Sequence, residues 1–190
     1  MTTMTAMRQQ ILACLVLLFL SLLARPALAQ EAAVSEADVK AAFLFNFTKF
    51  IEWPPEAFPR EDSKVEVGVY GDEEFTQTLR TLLADKKAHG RPFVVRRLIN
   101  VADAKTCQIL YFREGEARKM GAAYESIKKL PVLTVGESND FLDQGGMFNF
   151  FFEDKQLRFE VNPATAENAK LTVSSKLLRL AKKIRKGGAK

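Results

Sequence analysis

Cysteine and histidine are nearly missing from this chain: Cys14, Cys107 and His89 are all that its 190 residues contain. So sparse a set of soft and imidazole ligands excludes a His or Cys zinc cluster, and no serine has an organised histidine partner for nucleophilic attack. Nor is there a Gly-x-Ser-x-Gly elbow, a Walker loop or a calcium-binding Asp loop. The carboxylates Asp143, Glu153 and Glu160 are scattered, and spacing alone does not make them an acid/base pair. No cofactor and no metal are expected. The balance moves towards a binding protein, with an unrecognised hydrolase as the remaining catalytic reading.

Long apolar runs are also scarce. The only one, residues 11–23, follows Arg8 and precedes Ala27-Leu28-Ala29, which is the layout of an export signal with a small-residue cleavage site. It is shorter than the roughly 20 residues that span a bilayer, so an uncleaved anchor is the weaker alternative. Cys14 has almost no apolar sequence before it, which argues against lipoprotein acylation. Residues 1–29 are therefore read as a signal peptide and 30–190 as one domain, because a chain that is 47% hydrophobic and 27% charged has material for one core. Cleavage removes Arg8 and Arg25 and leaves 26 basic against 23 acidic residues, a net charge of +3 that is too mild to imply nucleic acid. Cys107 is then alone and cannot form an internal disulfide, although an exported protein meets oxidising conditions. Standing at the head of an apolar run, it reads as a small buried hydrophobe or, alternatively, as a reactive or intermolecular thiol.

What is present is a strong pattern of elements. Ser35-Glu36-Ala37-Asp38 is a capping box, and the helix it opens is predicted over residues 39–52, ending at Trp53-Pro54-Pro55. Its core stripe is Phe43, Phe47, Phe50 and Ile51; Phe45, Lys49 and Trp53 fall off that stripe and belong either to a helix buried nearly all round or to an aromatic docking patch. Val65, Val67 and Val69 alternate in a strand that runs through Gly71-Asp72, with Asp72 as cap, into an amphipathic helix carrying Phe75, Leu79, Leu82 and Leu83. His89 falls in a loop. Strands over 93–99 and 107–112, a helix over 114–129 with Ala117, Met120, Tyr124 and Ile127 inward, and a strand over 131–135 that is apolar apart from Thr134 follow.

The C-terminal part holds the clearest strand pair. Phe148, Phe150 and Phe152 share one face of a strand, and after a polar turn Leu157, Phe159 and Val161 alternate with Arg158, Glu160 and Asn162. Ser174 or Ser175 then caps a terminal helix with an apolar stripe of Leu177, Leu178, Leu180, Ala181 and Ile184. The basic tail over 182–190 reads as a solvated helix end or as a contact for an anionic membrane surface. Alternating strands and helices give the fold class: a three-layer α/β/α sandwich, its mixed sheet mostly parallel, with a C-terminal antiparallel hairpin and terminal helix. Arg158, Glu160 and Asn162, with Ser174, Ser175 and Lys176, form either a small anion site or an ordinary set of surface pairs, turns and caps.

Five segments in this order carry a family resemblance: residues 39–54 (VKAAFLFNFTKFIEWP), 131–135 (PVLTV), 145–147 (GGM), 157–162 (LRFEVN) and 174–181 (SSKLLRLA). Together they resemble the YfiR-like family of periplasmic proteins. The resemblance implies a soluble periplasmic regulator, usually dimeric, that binds the periplasmic part of an inner-membrane diguanylate cyclase and holds it inactive. Cyclic-di-GMP and biofilm formation fall as a result, until an outer-membrane, peptidoglycan-associated lipoprotein of the YfiB kind sequesters the regulator. Better-known relatives carry paired cysteines; with Cys107 alone, redox control through an internal disulfide does not carry over. The partner-contact residues expected here are Phe45, Lys49 and Trp53 on the first helix and Arg158, Glu160, Ser174 and Lys176 around the hairpin. A periplasmic sensor for a small anion or amino acid, with its pocket by Glu160 and Ser174, is the alternative function.

Overall fold

A computed structural model describes residues 34–71 and 73–185. The signal-peptide reading, Asp72 as a cap and the last five residues of the basic tail lie outside them. Helix α1 (Glu36–Thr48) begins as its sequence predicts: Ser35 Oγ accepts the Asp38 amide at 3.1 Å, and the Asp38 carboxylate accepts the Ser35 amide at 3.1 Å. It stops before residue 52. The Lys49 and Phe50 amides fold back onto the Asn46 and Phe47 carbonyls, and β1 (Ile51–Glu52) pairs antiparallel with β9 (Thr172–Val173). That pairing seals Ile51 completely.

The strands β2 (Val65–Tyr70), β3 (Lys87–Ala88), β4 (Arg91–Arg97), β5 (Ile109–Phe112), β6 (Leu133–Gly136), β7 (Phe148–Glu153), β8 (Gln156–Val161) and β10 (Lys183–Ile184) make one sheet in the order β10-β8-β7-β6-β5-β2-β4-β3. Pairing is parallel from β4 through β2, β5 and β6 to β7 and again between β8 and β10; β7–β8 and β3–β4 are antiparallel. Covered on both faces, β6 is buried throughout, as a strand apolar except for Thr134 requires, and Thr134 Oγ1 accepts the Met147 amide at 3.0 Å.

One face carries α1 and α2 (Glu73–Leu83). Val65, Val67 and Val69 point into this layer, and Phe47 of α1 lies on the hairpin, its ring centroid 4.8 Å from Phe148 and 5.0 Å from Phe159. The other face carries the 3-10 segment Val101–Thr106 and α3 (Ala117–Ile127), packed through Met120, Ala123 and Ile127 against Tyr70, Leu110 and Phe112. Tyr124, expected inward, is only half buried. Gly68 makes the close packing of this second face possible, because a Cβ there would sit 2.4 Å from Leu98 Cδ1. Cys107 is buried beside it, and burial pushes its thiol pKa up, as suits a small apolar filler.

Three further differences stand out at the C-terminal end. Helix α4 (Pro163–Asn168) follows Asn162 directly, with Pro163 in its first turn. Helix α5 (Ser175–Leu180) is only six residues long, and Ile184 does not join its stripe. Instead the Lys182 amide donates to the Phe159 carbonyl at 2.9 Å and the Arg185 amide to the Val161 carbonyl at 2.8 Å, so the open edge of β8 captures the chain as β10. Phe152, expected inside, is 47% exposed at the far end of the hairpin.

Candidate functional site

Two concavities adjoin α1. The first lies beyond the carboxyl ends of β5 and β6, where open α/β sheets characteristically place ligands. It has two lobes of about 330 Å³ each, both lined by Glu36, Lys40, Arg113 and Glu137. At its floor the Lys40 ammonium pairs with the carboxylates of Glu36 and Glu137, and the Tyr111 hydroxyl donates to the other oxygen of Glu137 at 2.5 Å. Burial works against the Lys40 charge, but the hydrogen bonds its ammonium donates to both carboxylates outweigh it and hold the pKa above the ordinary lysine value. Burial, reinforced by the Glu137 charge, pushes the Tyr111 phenol well above its usual value. An amine kept protonated in this way is neither a base nor a nucleophile at neutral pH. The cluster ties α1 to the sheet.

The second concavity is an apolar groove of about 320 Å³ between α1, β8 and α5, lined by Phe43, Asn46, Phe47, Phe50, Leu157, Arg158, Phe159, Leu177 and Leu180. Its floor is the Phe47–Phe159 core contact. Its rim is open, with Leu180 67% exposed and Arg158 exposed.

The structure divides the expected contact residues among separate places. Phe45 packs edge-on against Phe93 at 6.1 Å, with the Lys49 ammonium 4.4 Å from its ring centroid. Trp53 lies between Phe58 and His89, and its Nε1 has no acceptor among the described residues. These three sit on the side of α1 facing β3 and β4, across the helix from the groove. Of the hairpin set only Arg158 lines the groove; its guanidinium also donates to Gln156 Oε1 at 2.6 Å. Glu160 accepts from Asn149 Nδ2 at 3.2 Å on the opposite face of the sheet from α1. Asn162 is buried, and its side chain caps α4 by accepting the Thr165 amide at 3.3 Å. Ser174 caps α5 through the Lys176 amide and donates its own amide to the Phe50 carbonyl, while Ser175 and Lys176 are exposed in the first turn.

His89 does more than occupy a loop. In the β3–β4 turn, with φ of 50°, its Nε2 lies 3.0 Å from the Thr48 carbonyl and 3.1 Å from that of Ile51. Facing two acceptors, Nε2 carries the proton and closes the end of α1. Sequence reasoning also passed over Lys40, Tyr111 and Glu137, although the Glu36–Lys40 spacing of four and a glutamate just after a parallel strand are both legible signals. Among the described residues no group of His, Cys, Asp and Glu is placed to hold a metal ion, and no helix is long and apolar enough to cross a membrane.

Comparison with known proteins adds identity to this geometry. A conserved domain protein from Vibrio cholerae O1 biovar El Tor has a similar fold, with a TM-score of 0.53 and 13% sequence identity over 80% of this chain and 60% of that one. At this identity the likeness shows the α/β fold alone, and the present chain spans less than two thirds of that protein's length. The ABC domain from Streptococcus pneumonia, solved in complex with L-Trp, aligns with a TM-score of 0.43 and 9% identity over 64% of this chain and 55% of that one. No curated protein matches the sequence. A family model described as YfiR/HmsC-like matches residues 37–182, from the first turn of α1 to just past α5. Spanning well over half of the chain, that match shows that it belongs to the YfiR/HmsC-like family of periplasmic regulators.

Proposed function

We propose that this protein restrains a membrane diguanylate cyclase by contact: it binds the cyclase's periplasmic part in the quiescent form, lowers cyclic-di-GMP and limits biofilm formation. Family membership supports the regulatory role, and the observation that carries contact as its means is the apolar groove with Leu180 and Arg158 at its rim. Binding of this kind shifts a receptor's equilibrium only if the quiescent form is bound more tightly than the active one. Export after removal of residues 1–29, a homodimeric state and release by an outer-membrane, peptidoglycan-associated lipoprotein belong to the same proposal. Ser175 and Lys176 extend the groove's contact surface at the start of α5, and Phe45, Lys49 and Trp53 form a second contact surface across α1.

Deletion of the gene is expected to raise cyclic-di-GMP. Wild-type protein supplied in trans restores the low level, whereas Leu180→Asp or Arg158→Glu, both at exposed positions, does not. Unchanged cyclic-di-GMP in the deletion strain overturns the proposal.

The alternative, a small-ligand sensor, draws support from the strand-end cleft rather than from Glu160 and Ser174, since the sheet stands between those two. A metabolite bound to the folded state raises its melting temperature, and a panel that produces no shift removes this reading.

A further inference from the structure

One rim of the molecule carries an excess of positive charge, although Lys182 and Arg185 are paired with Glu153 and Asp143. After Glu167 the sequence contains eight basic residues and no acidic one, while the chain up to that point carries 20 basic against 23 acidic residues. The fold gathers this excess along α5 and β10. Lys176, Arg179 and Lys183 are exposed and have no carboxylate partner among the described residues; Lys182 is paired with Glu153 at 2.7 Å. Among these cations stand two exposed aliphatic side chains, Leu180 at 67% and Ile184 at 46%. The sheet keeps Ile184 at the surface because β10 is its outermost strand.

Lysine is depleted from the cores of protein interfaces, where a compact hydrated ammonium is poorly accommodated. A phosphate layer makes the opposite demand. Long cations reach its oxygens while their stems and neighbouring leucine or isoleucine enter the acyl boundary, and no carboxylate is needed to fix their geometry. We infer that the α5–β10 rim is a membrane-contact surface that takes the headgroups of anionic phospholipids and seats Leu180 and Ile184 at their acyl boundary. The rim shares Leu180 and Lys176 with the groove's contact surface, but vesicle binding needs no partner protein, so it is read apart from cyclase regulation.

The test uses the processed protein, its N-terminus fixed by mass spectrometry, sedimented with vesicles of phosphatidylglycerol and phosphatidylethanolamine or of phosphatidylcholine alone. Binding to the anionic vesicles only is expected, weakened at least about tenfold by Arg179→Glu combined with Lys183→Glu and released by high salt. The same charge reversal at the exposed Lys105 and Lys129 leaves binding unchanged, and Leu180→Ser with Ile184→Ser weakens it. The inference is overturned if anionic vesicles fail to pellet the protein, if neutral vesicles pellet it equally, or if the Lys105 and Lys129 reversal is as damaging as that on the rim. It is also overturned if reversal on the rim abolishes capture by a protein partner while vesicle binding persists. Should the rim variant lose its cooperative melt, the salt dependence of the wild-type protein decides: binding that persists at high salt refutes the assignment.

Discussion

Lys40 on α1 and Glu137 just beyond β6, 97 residues apart in sequence, form an ion pair in which each side chain is only 11% exposed. Removing one member leaves the other charge stranded. Lys40→Met is expected to destabilise the fold by about 3 kcal/mol, and Lys40→Met with Glu137→Gln to recover most of that loss. Urea midpoints of the two variants, with slopes unchanged, check the expectation; equal losses in both would show that the pair is not coupled.

The same cluster sets the response to alkali. The pKa of Lys40 is raised on folding, so its contribution is complete below the unfolded value of about 10.4 and disappears as pH rises through the higher folded value. Tyr111 acts in the same direction, because the unfolded phenol ionises near pH 10 while the folded one stays protonated. Melting temperature should therefore fall steadily above about pH 10. Burial also pushes Tyr70 up to about 12, and tyrosinate absorbance of the native protein should show the Tyr70 and Tyr111 phenols still protonated where free tyrosine ionises.

Phe47 and Leu180 line the same groove but differ in burial, at 1% and 67% exposed. Phe47→Ala is expected to cost about 3–5 kcal/mol of stability. Leu180→Asp should change stability by less than about 0.5 kcal/mol. Denaturation curves for the pair separate what the groove does for the fold from what it offers to a partner.

Gly136 and Gly146 both press on Phe141: an added Cβ would lie 2.4 Å from its Cδ2 at the first position and 2.2 Å from its Cε1 at the second. Gly136→Ala is expected to destabilise by about 1–3 kcal/mol through overpacking. Phe141→Leu in the same chain, by making room, should reduce that penalty in a double-mutant cycle.

His89→Ala removes the donor shared by the Thr48 and Ile51 carbonyls and should cost about 1 kcal/mol. Its diagnostic readout is local. Amide exchange at Phe50 and at Ser174, whose amide donates to the Phe50 carbonyl, should accelerate more than exchange within β5.

The layered fold was legible because its signals are local: alternation of Val65, Val67 and Val69, the capping box at Ser35, the apolar run of β6 and the hairpin turn. What sequence reasoning missed depends on distant chain. Residues 51–52 have helical neighbours, but pairing with Thr172–Val173 draws them into a strand. Ile184 continues a helical spacing from Leu177 and Leu180, but the unpaired edge of β8 competes for the same backbone and wins. How the expected contact residues are distributed around α1 was not legible either. Phe45 and Phe43 are nearly adjacent in sequence, yet they face opposite sides of α1, and only Phe43 reaches the groove. Nothing short of the packed helix distinguishes them.

The large sheet is finished at both sides by strands of two residues, Lys87–Ala88 and Lys183–Ile184, each bearing a lysine. Strands so short and so charged are poor templates for another copy of the chain. Joining of two molecules into one continuous sheet is therefore disfavoured, and any pairing of copies is left to helical or grooved faces. The same short, charged borders disfavour growth of a polymer by addition of strands at the sheet's edge.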